Sequence, residues 1–115
     1  MRRGLTWIIA VVAALAILIA GATVSSATTT KKVSIITSSA YQFAFSPKTK
    51  SIHTGVRVKW TNGTSALHHI KFTNGKAWSK DIAAGATLVR IFHHTGTFHY
   101  HCTIHPYMKG VIKVT

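Results

Sequence analysis

Residues 97–110, TFHYHCTIHPYMKG, join the pattern of a β-strand to a short loop rich in metal-binding side chains. Apolar and polar residues alternate in the first half, as in a half-buried strand, so Tyr100 and Cys102 share the inward face. Cys102 is the only cysteine of the chain, and His105 and Met108 follow it at intervals of three residues. A thiolate, an imidazole and a thioether are therefore gathered at the end of a core-facing strand. This spacing predicts a metal site.

The donor set of Cys102, His105 and Met108 favours copper over other metals. Blue-copper electron-transfer sites use one Cys and two His in a trigonal plane, with a long, weak bond to an axial Met. Zinc rarely takes a thioether, and its structural sites use several thiolates or Cys₂His₂ sets, which one cysteine cannot supply. Three of the four copper ligands are present in order, so a second histidine is expected from elsewhere in the chain.

The second histidine is sought in residues 67–72, LHHIKF, which have the pattern of a strand. Alternate side chains of a strand face opposite sides, and the apolar Ile70 marks the core side. His68 shares that side with Ile70, whereas His69 shares the other side with Lys71. His68 is therefore the predicted ligand, and His69 is expected to face outward or to lie along the edge of the site.

Taken together, these motifs are similar to those of one known family. The chain resembles the cupredoxins, and most closely their small amicyanin-like and plastocyanin-like members, over residues 33–115. By that resemblance His68, Cys102, His105 and Met108 bind one copper ion, and the fold is a Greek-key β-sandwich. The matching stretches are residues 45–47, 52–55, 58–62, 67–70, 82–87, 95–102 and 105–111.

Two positions depart from the family pattern. The family usually has Asn, Ser or Thr after its first ligand histidine, where the side chain braces the cysteine loop, but this chain has His69. Amicyanins tend to have proline just before the second ligand histidine, where this chain has Ile104. Ile104 carries a backbone N–H that proline would lack, so the hydrogen bonding around the sulfur is expected to differ.

Simpler interpretations exist for each residue taken alone. A lone Cys is most often a small buried hydrophobe, and a Met near the end of a strand is most often part of the core. The chain has eight histidines, and those outside the predicted site are expected to be solvated polar positions. Two of them, on the outer face of the strand before Cys102, could chelate a second metal weakly, but no further ligand completes such a site. The histidines in question are His53, His93, His94, His99 and His101.

Short β-branched runs separated by turn signals predict an all-β fold. Asn-Gly and similar dipeptides, as at residues 62–63 and 74–75, divide the runs, and no segment after residue 30 has helical periodicity over three turns. The length of 115 residues allows a single domain. The clearest predicted strands are residues 33–37, 56–61, 68–73, 88–93, 97–102 and 111–115.

The N-terminal segment is a separate unit. A basic start precedes an uncharged, almost wholly apolar run at residues 5–22, and small residues at 25–27 offer a cleavage site. Residues 1–27 are therefore predicted to be a helical signal peptide or membrane anchor, residues 28–32 a polar tether, and residues 33–115 the folded domain. The apolar run has the length of a signal core and is also long enough to span a bilayer, so both interpretations stay open. Either one predicts export.

The excess of basic over acidic residues limits the kinds of binding partner that are expected. Fourteen Lys and Arg residues face one acidic residue, Asp81, which gives a formal net charge of +13 at pH 7. Nucleic acid is not the expected partner, because an exported chain seldom meets it, the basic residues are dispersed and no nucleic-acid motif is present. An acidic redox protein, an anionic membrane surface or an acidic environment explains this charge better, and an acidic redox protein is the expected partner.

Together these features predict an exported, mononuclear type 1 copper protein that shuttles single electrons between a donor and an acceptor protein. It is expected to be a monomer in the periplasm or another extracytoplasmic space, either free or anchored through residues 5–22. No enzymatic activity is expected, because the chain has one carboxylate and protein side chains fill all four copper positions. The alternative is an exported copper carrier or resistance protein, in which the same ligands hold the ion without passing electrons.

Overall fold

The computed structural model describes residues 29–39 and 42–115, which fold into two β-sheets packed face to face. One sheet has the strand order β2-β1-β4-β7, and the other has the order β3-β9-β8-β5-β6. No helix in this part of the chain has the length and apolar character needed to cross a bilayer. The strands are β1 Thr30–Ser39, β2 Gln42–Ser46, β3 Thr49–Ile52, β4 Arg57–Asn62, β5 His68–Phe72, β6 Ser79–Ile82, β7 Thr87–Ile91, β8 Gly96–Cys102 and β9 Lys109–Val114.

The core lies between the inward faces of the two sheets, and aromatic side chains dominate its centre. Trp60 of β4 is fully buried and packs edge-to-face against Tyr100 and Phe72, at ring-centroid distances of 5.6 and 6.0 Å. In β8 the inward residues Tyr100 and Cys102 are buried, whereas His99 is exposed, as the alternation predicts. The predicted all-β sandwich is therefore confirmed.

The ring of Tyr100 lies across the neighbouring strand β9, over a residue that must be glycine. It pairs in register with Gly110 of β9, and a Cβ atom built on Gly110 would overlap the Tyr100 ring. Burial raises the pKa of the Tyr100 hydroxyl to about 12. The ring therefore fixes β8 closely against β9, just before the chain reaches Cys102.

Three strands were not expected from the sequence: β2, β3 and β6. Each lies at the edge of a sheet, and β3 and β6 have only four residues, too few to show a clear alternation. Their backbone pairing, rather than their side-chain pattern, makes them strands.

The first strand also begins earlier than expected. β1 starts at Thr30 and pairs in parallel with β4, so residues 30–32 belong to the sheet rather than to a polar tether at 28–32. Their side chains are exposed, so hydropathy did not reveal the pairing. The predicted signal peptide or anchor at residues 1–27 lies outside the described residues.

Candidate metal centre

Two adjacent strands and one loop bring the predicted ligands together. His68 is the first residue of β5 and Cys102 the last of β8, and these strands pair antiparallel with Ile70 opposite Cys102. Because His68 and Ile70 share a face of β5, the imidazole lies on the same side of the sheet as the thiol.

The loop after Cys102 is closed by its own backbone. The N–H of Cys102 donates to the carbonyl of Met108 across 3.0 Å, and the N–H of Met108 donates to the carbonyl of His105 across 2.9 Å. These two bonds hold Cys102, His105 and Met108 in one turn at the end of the sandwich. Met108 is buried, with 2% of its surface exposed.

The three strong donors form a compact triangle. The Nδ1 atoms of His68 and His105 lie 3.1 Å apart, and each lies 3.7 Å from the Sγ atom of Cys102. A triangle with these sides has a point about 2 Å from every corner, which is the length of a transition metal–nitrogen bond. The donor set and its spacing therefore fit a copper ion, with Met108 next in the loop as the soft fourth donor.

A chain of hydrogen bonds sets the tautomer of His68. The amide nitrogen of Asn62 donates to the carbonyls of Ala66 and Ile82, at 2.7 and 3.0 Å, so its oxygen must face Thr64. The Thr64 hydroxyl donates to that oxygen across 2.7 Å, which leaves its own oxygen to accept from Nε2 of His68 across 2.9 Å. His68 therefore carries its proton on Nε2 and presents the lone pair of Nδ1 to the donor triangle.

The charge state of His68 supports the same role. Burial, and then the neighbouring His105 imidazole, lower the pKa of His68 below its usual value. A metal-binding imidazole must be neutral at the coordinating nitrogen, so the fold has already removed the competing proton at near-neutral pH.

The backbone of His69, rather than its side chain, supports the sulfur. Its N–H donates to the Sγ atom of Cys102 across 3.4 Å, and its carbonyl accepts from the N–H of Thr103 across 3.0 Å. The imidazole turns away and bonds Asp81 through Nδ1, at 2.5 Å from Oδ1. The predicted outward orientation of His69 is thus observed, and the loop is braced without the polar side chain that the family usually has there.

Phe43 of β2 covers the two imidazoles. Its ring packs edge-to-face against His68 and His105, with centroids 4.9 Å away in both cases. The backbone N–H of Phe43 donates to the hydroxyl of Tyr107 across 3.1 Å, which ties β2 to the ligand loop. An apolar ring at this position limits the access of water to the donors.

The structure brings His68, Cys102 and His105 together and buries Met108 at the end of their loop. Sequence reasoning missed Asn62, Thr64 and Phe43 as supports of the site. Asn62 and Thr64 are polar residues shortly before the predicted ligand His68, and that position was a usable signal of their role. Nothing in the sequence indicated the role of Phe43. The histidines expected to be solvated are exposed or partly exposed: His53, His93, His94, His99 and His101.

Comparisons with known proteins agree with this geometry. The family model described as a cupredoxin-like domain matches residues 9–114. Amicyanin-alpha of Methylorubrum extorquens is 35% identical over 68 residues, which are 55% of this chain and 57% of the relative. The match thus spans little more than half the length of that curated protein.

Solved structures share the fold. A purple cupredoxin from Nitrosopumilus maritimus is 22% identical, with a TM-score of 0.65 over 73% of this chain and 98% of the other. An amicyanin from Paracoccus versutus is 24% identical, with a TM-score of 0.64 over 73% of this chain and 79% of the other. At these identities the likeness concerns the fold alone.

Proposed function

Because the chain belongs to the cupredoxin-like family, whose members bind one copper ion, we propose that it is an exported type 1 copper protein that carries single electrons. The observation that carries this proposal is the triangle of one thiolate sulfur and two imidazole nitrogens. Cys102, His68 and His105 would hold the copper ion as strong ligands, and Met108 would add a weak thioether ligand. Bound copper supplies one electron at a time by alternating between Cu(II) and Cu(I).

The residues around the triangle limit how far the donors move during such a cycle. Thr64 holds the ring of His68, the backbone of His69 holds the sulfur of Cys102, and the closed loop holds His105. Because surrounding residues fix the donors, one arrangement of ligands would serve both the Cu(II) and the Cu(I) state. This rigidity favours electron transfer over a carrier that must open to release its ion.

The burial of the site argues against enzymatic activity. Cys102 and His68 are fully buried, and protein side chains would supply all four donors to the proposed copper ion. Catalytic metal sites keep a coordination position open for substrate or water, and this donor set leaves none.

Electrons would enter and leave at the surface around His105. Three large apolar side chains next to His68 or His105 in sequence are about half exposed: Leu67 at 49%, Ile104 at 48% and Tyr107 at 49%. His105 is itself partly exposed, and its ring lies 6.2 Å from that of Tyr107. Redox partners commonly meet over small interfaces, for which this apolar rim is suited.

The partners would be acidic proteins outside the cytoplasm. The formal net charge of +13 would steer an acidic partner toward the chain, with association rates raised by roughly 10–10³-fold at low salt. Electron transfer to the true partner should then slow as ionic strength rises. We further propose that residues 1–27 direct export, either as a cleaved signal or as an anchor, and that the protein acts as a monomer.

Copper loading tests the site. The loaded, oxidised protein should bind one copper and show the strong visible absorption of a thiolate–copper bond. Cys102→Ser should abolish the colour, and so should His105→Gln, whereas the matched control His99→Gln should retain it. Persistence of the band in Cys102→Ser would overturn the ligand assignment.

Redox cycling tests the role. The loaded protein should pass repeatedly between oxidised and reduced forms while copper stays bound in the presence of a competing chelator. Rapid loss of copper to the chelator on reduction, without reversible cycling, would favour the copper-carrier alternative and overturn electron transfer.

A further inference from the structure

A cavity opens at the end of the sandwich opposite the metal centre. It has a volume of about 720 Å³ and lies beside β7, the edge strand of its sheet. Phe98 lines it, and Cys102 lies four residues further along the same strand, or about 13 Å at the usual rise of a strand. Arg57, which also lines it, begins β4, whereas Asn62 of the metal centre ends that strand. Two strands thus place the cavity and the metal centre at opposite ends.

Arg90 is the central cation of this cavity. It pairs in register with the buried Val58, so its side chain lies on the inward face of β7. Its guanidinium carbon lies 4.3 Å from the centre of the Phe72 ring, 4.6 Å from that of Phe92 and 5.3 Å from that of Trp78. Aromatic faces hold the cation in place, but they do not neutralise it.

Two arginines of the cavity each have a buried donor atom without an acceptor in the described part of the chain. Within residues 29–39 and 42–115, the buried Nη1 atom of Arg90 and the buried Nε atom of Arg57 have no hydrogen-bond partner. The chain's single acidic side chain, Asp81, bonds His69 near the metal centre and neutralises neither arginine. Lys76 adds a third cation to the lining. Guanidinium groups match the geometry of phosphate oxygens, so an external oxyanion would supply the missing charge.

Apolar side chains around the same cavity distinguish a lipid from a free ion. Val89 and Ile91 line it and are 43% and 37% exposed, beside the aromatic rings of Trp78 and Phe98. A cationic centre with an apolar border suits an amphipathic anion at a membrane surface, where each basic residue adds to the attraction.

The path of the chain also favours a membrane at the cavity end of the domain. The N–H of Arg57 donates to the carbonyl of Thr29 across 3.0 Å, and Thr30 pairs opposite Arg57. The chain therefore enters the domain beside the cavity, and in sequence six residues separate Thr29 from the apolar run at 5–22.

We propose that the cavity around Arg90 and Arg57 binds the phosphate of an anionic phospholipid headgroup. A protein held to a bilayer through this end turns the surface around His105 away from the membrane, toward soluble partners. The site stands independently of the proposed electron transfer, because none of its residues belongs to the donor triangle.

The test uses the full chain in uncharged maltoside micelles, labelled with ¹⁵N and titrated with dihexanoylphosphatidylglycerol. The side-chain signals of Arg90 and Trp78 should shift and saturate. Dihexanoylphosphatidylcholine, which has the same tails and no net charge, should bind at least tenfold more weakly, and so should inorganic phosphate. Equal binding of inorganic phosphate and the anionic lipid would overturn the lipid assignment.

Matched variants test the residues. Arg90→Gln and Arg57→Gln should each weaken binding of the anionic lipid about tenfold or more, because each loses a charged hydrogen-bond donor. Arg90→Lys keeps the charge without the forked donors, so it should fold and yet bind more weakly than the native protein. Lys109→Gln removes the same charge from the metal-centre end of β9, opposite His101, and should change binding less than about twofold. An equal loss in Lys109→Gln would show unspecific attraction and overturn the site.

Discussion

Thr64 and His68 are joined by a hydrogen bond of 2.9 Å that decides which ring nitrogen faces the donor triangle. The bond is directional, because Asn62 already takes the proton of the Thr64 hydroxyl. Two residues outside the donor set therefore determine whether the imidazole is ready to bind a metal.

Thr64→Val should lower copper affinity by ~10–100-fold, the usual effect of losing a partner that orients a ligand. The ring of His68 would then be free to exchange its proton between Nδ1 and Nε2. Chelator competition measures the affinity, and ¹⁵N shifts of the His68 ring report the tautomer. Thr87→Val, an exposed change on β7, is the control. Unchanged affinity and an unchanged tautomer in Thr64→Val would refute the orienting role.

Met108→Leu should preserve the colour of the oxidised protein and raise its reduction potential. An axial thioether donates weakly to copper, and losing that donation disfavours Cu(II) relative to Cu(I). A spectroscopic redox titration measures the change, with Ile104→Leu in the same loop as the control. A lower potential, or loss of the colour, would contradict the axial assignment.

The adjacent histidines should respond differently to substitution. His68→Gln should destroy the normal copper absorption, because it removes a donor of the plane. His69→Ala should keep the absorption, since the hydrogen bond to Cys102 comes from the backbone N–H and survives the change. Asp81→Asn should resemble His69→Ala in the visible spectrum. If His69→Ala lost the colour while His68→Gln kept it, the assignment of the two residues would be reversed.

Tyr100→Phe should leave the free energy of unfolding unchanged or raise it by up to about 1 kcal/mol. The Tyr100 hydroxyl is buried and has no hydrogen-bond partner within the described part of the chain, so removing it removes a desolvated polar group. Gly110→Ala should instead destabilise the fold by roughly 1–3 kcal/mol, because the new methyl overlaps the Tyr100 ring. Urea titrations compare the two variants. A large loss of stability in Tyr100→Phe would mean that the hydroxyl is bonded after all.

The metal-free protein should lose stability as the pH falls below about 6.5, the ordinary pKa of histidine. Burial lowers the pKa of His68 in the folded state, so the unfolded chain binds more protons in this range and acid favours unfolding. The loss amounts to about 1.4 kcal/mol for each unit by which the folded and unfolded pKa values differ. Urea titrations at pH 7.5 and pH 5 measure it. His68→Gln should flatten the dependence, whereas the exposed His93→Gln should not; equal slopes in all three proteins would exclude His68 as the source.

The ligand loop could be predicted from the sequence because its chemistry is local. Cys102, His105 and Met108 follow one another at fixed intervals, and strand parity was enough to place the imidazole of His68, rather than that of His69, beside Cys102. Phe43 could not be predicted in the same way, since it reaches the imidazoles only when β2 pairs with β1. Arg90 is harder still, because the alternation of β7 gives an arginine an inward position that the usual preference for apolar residues would reject. Tertiary packing against three aromatic rings makes that position tolerable.

The bond between Asp81 and His69 leaves the chain without a free side-chain carboxylate. Calcium, magnesium and manganese are hard cations that bind through clustered carboxylate and carbonyl oxygens. A surface of lysines and arginines repels such ions and offers them no cluster of acidic ligands. The donor triangle is therefore the one concentrated metal-binding set among the described residues, and its ligands are soft. Discrimination against the abundant hard metals is in this way a property of the whole surface, achieved by amino-acid composition rather than by the shape of the site.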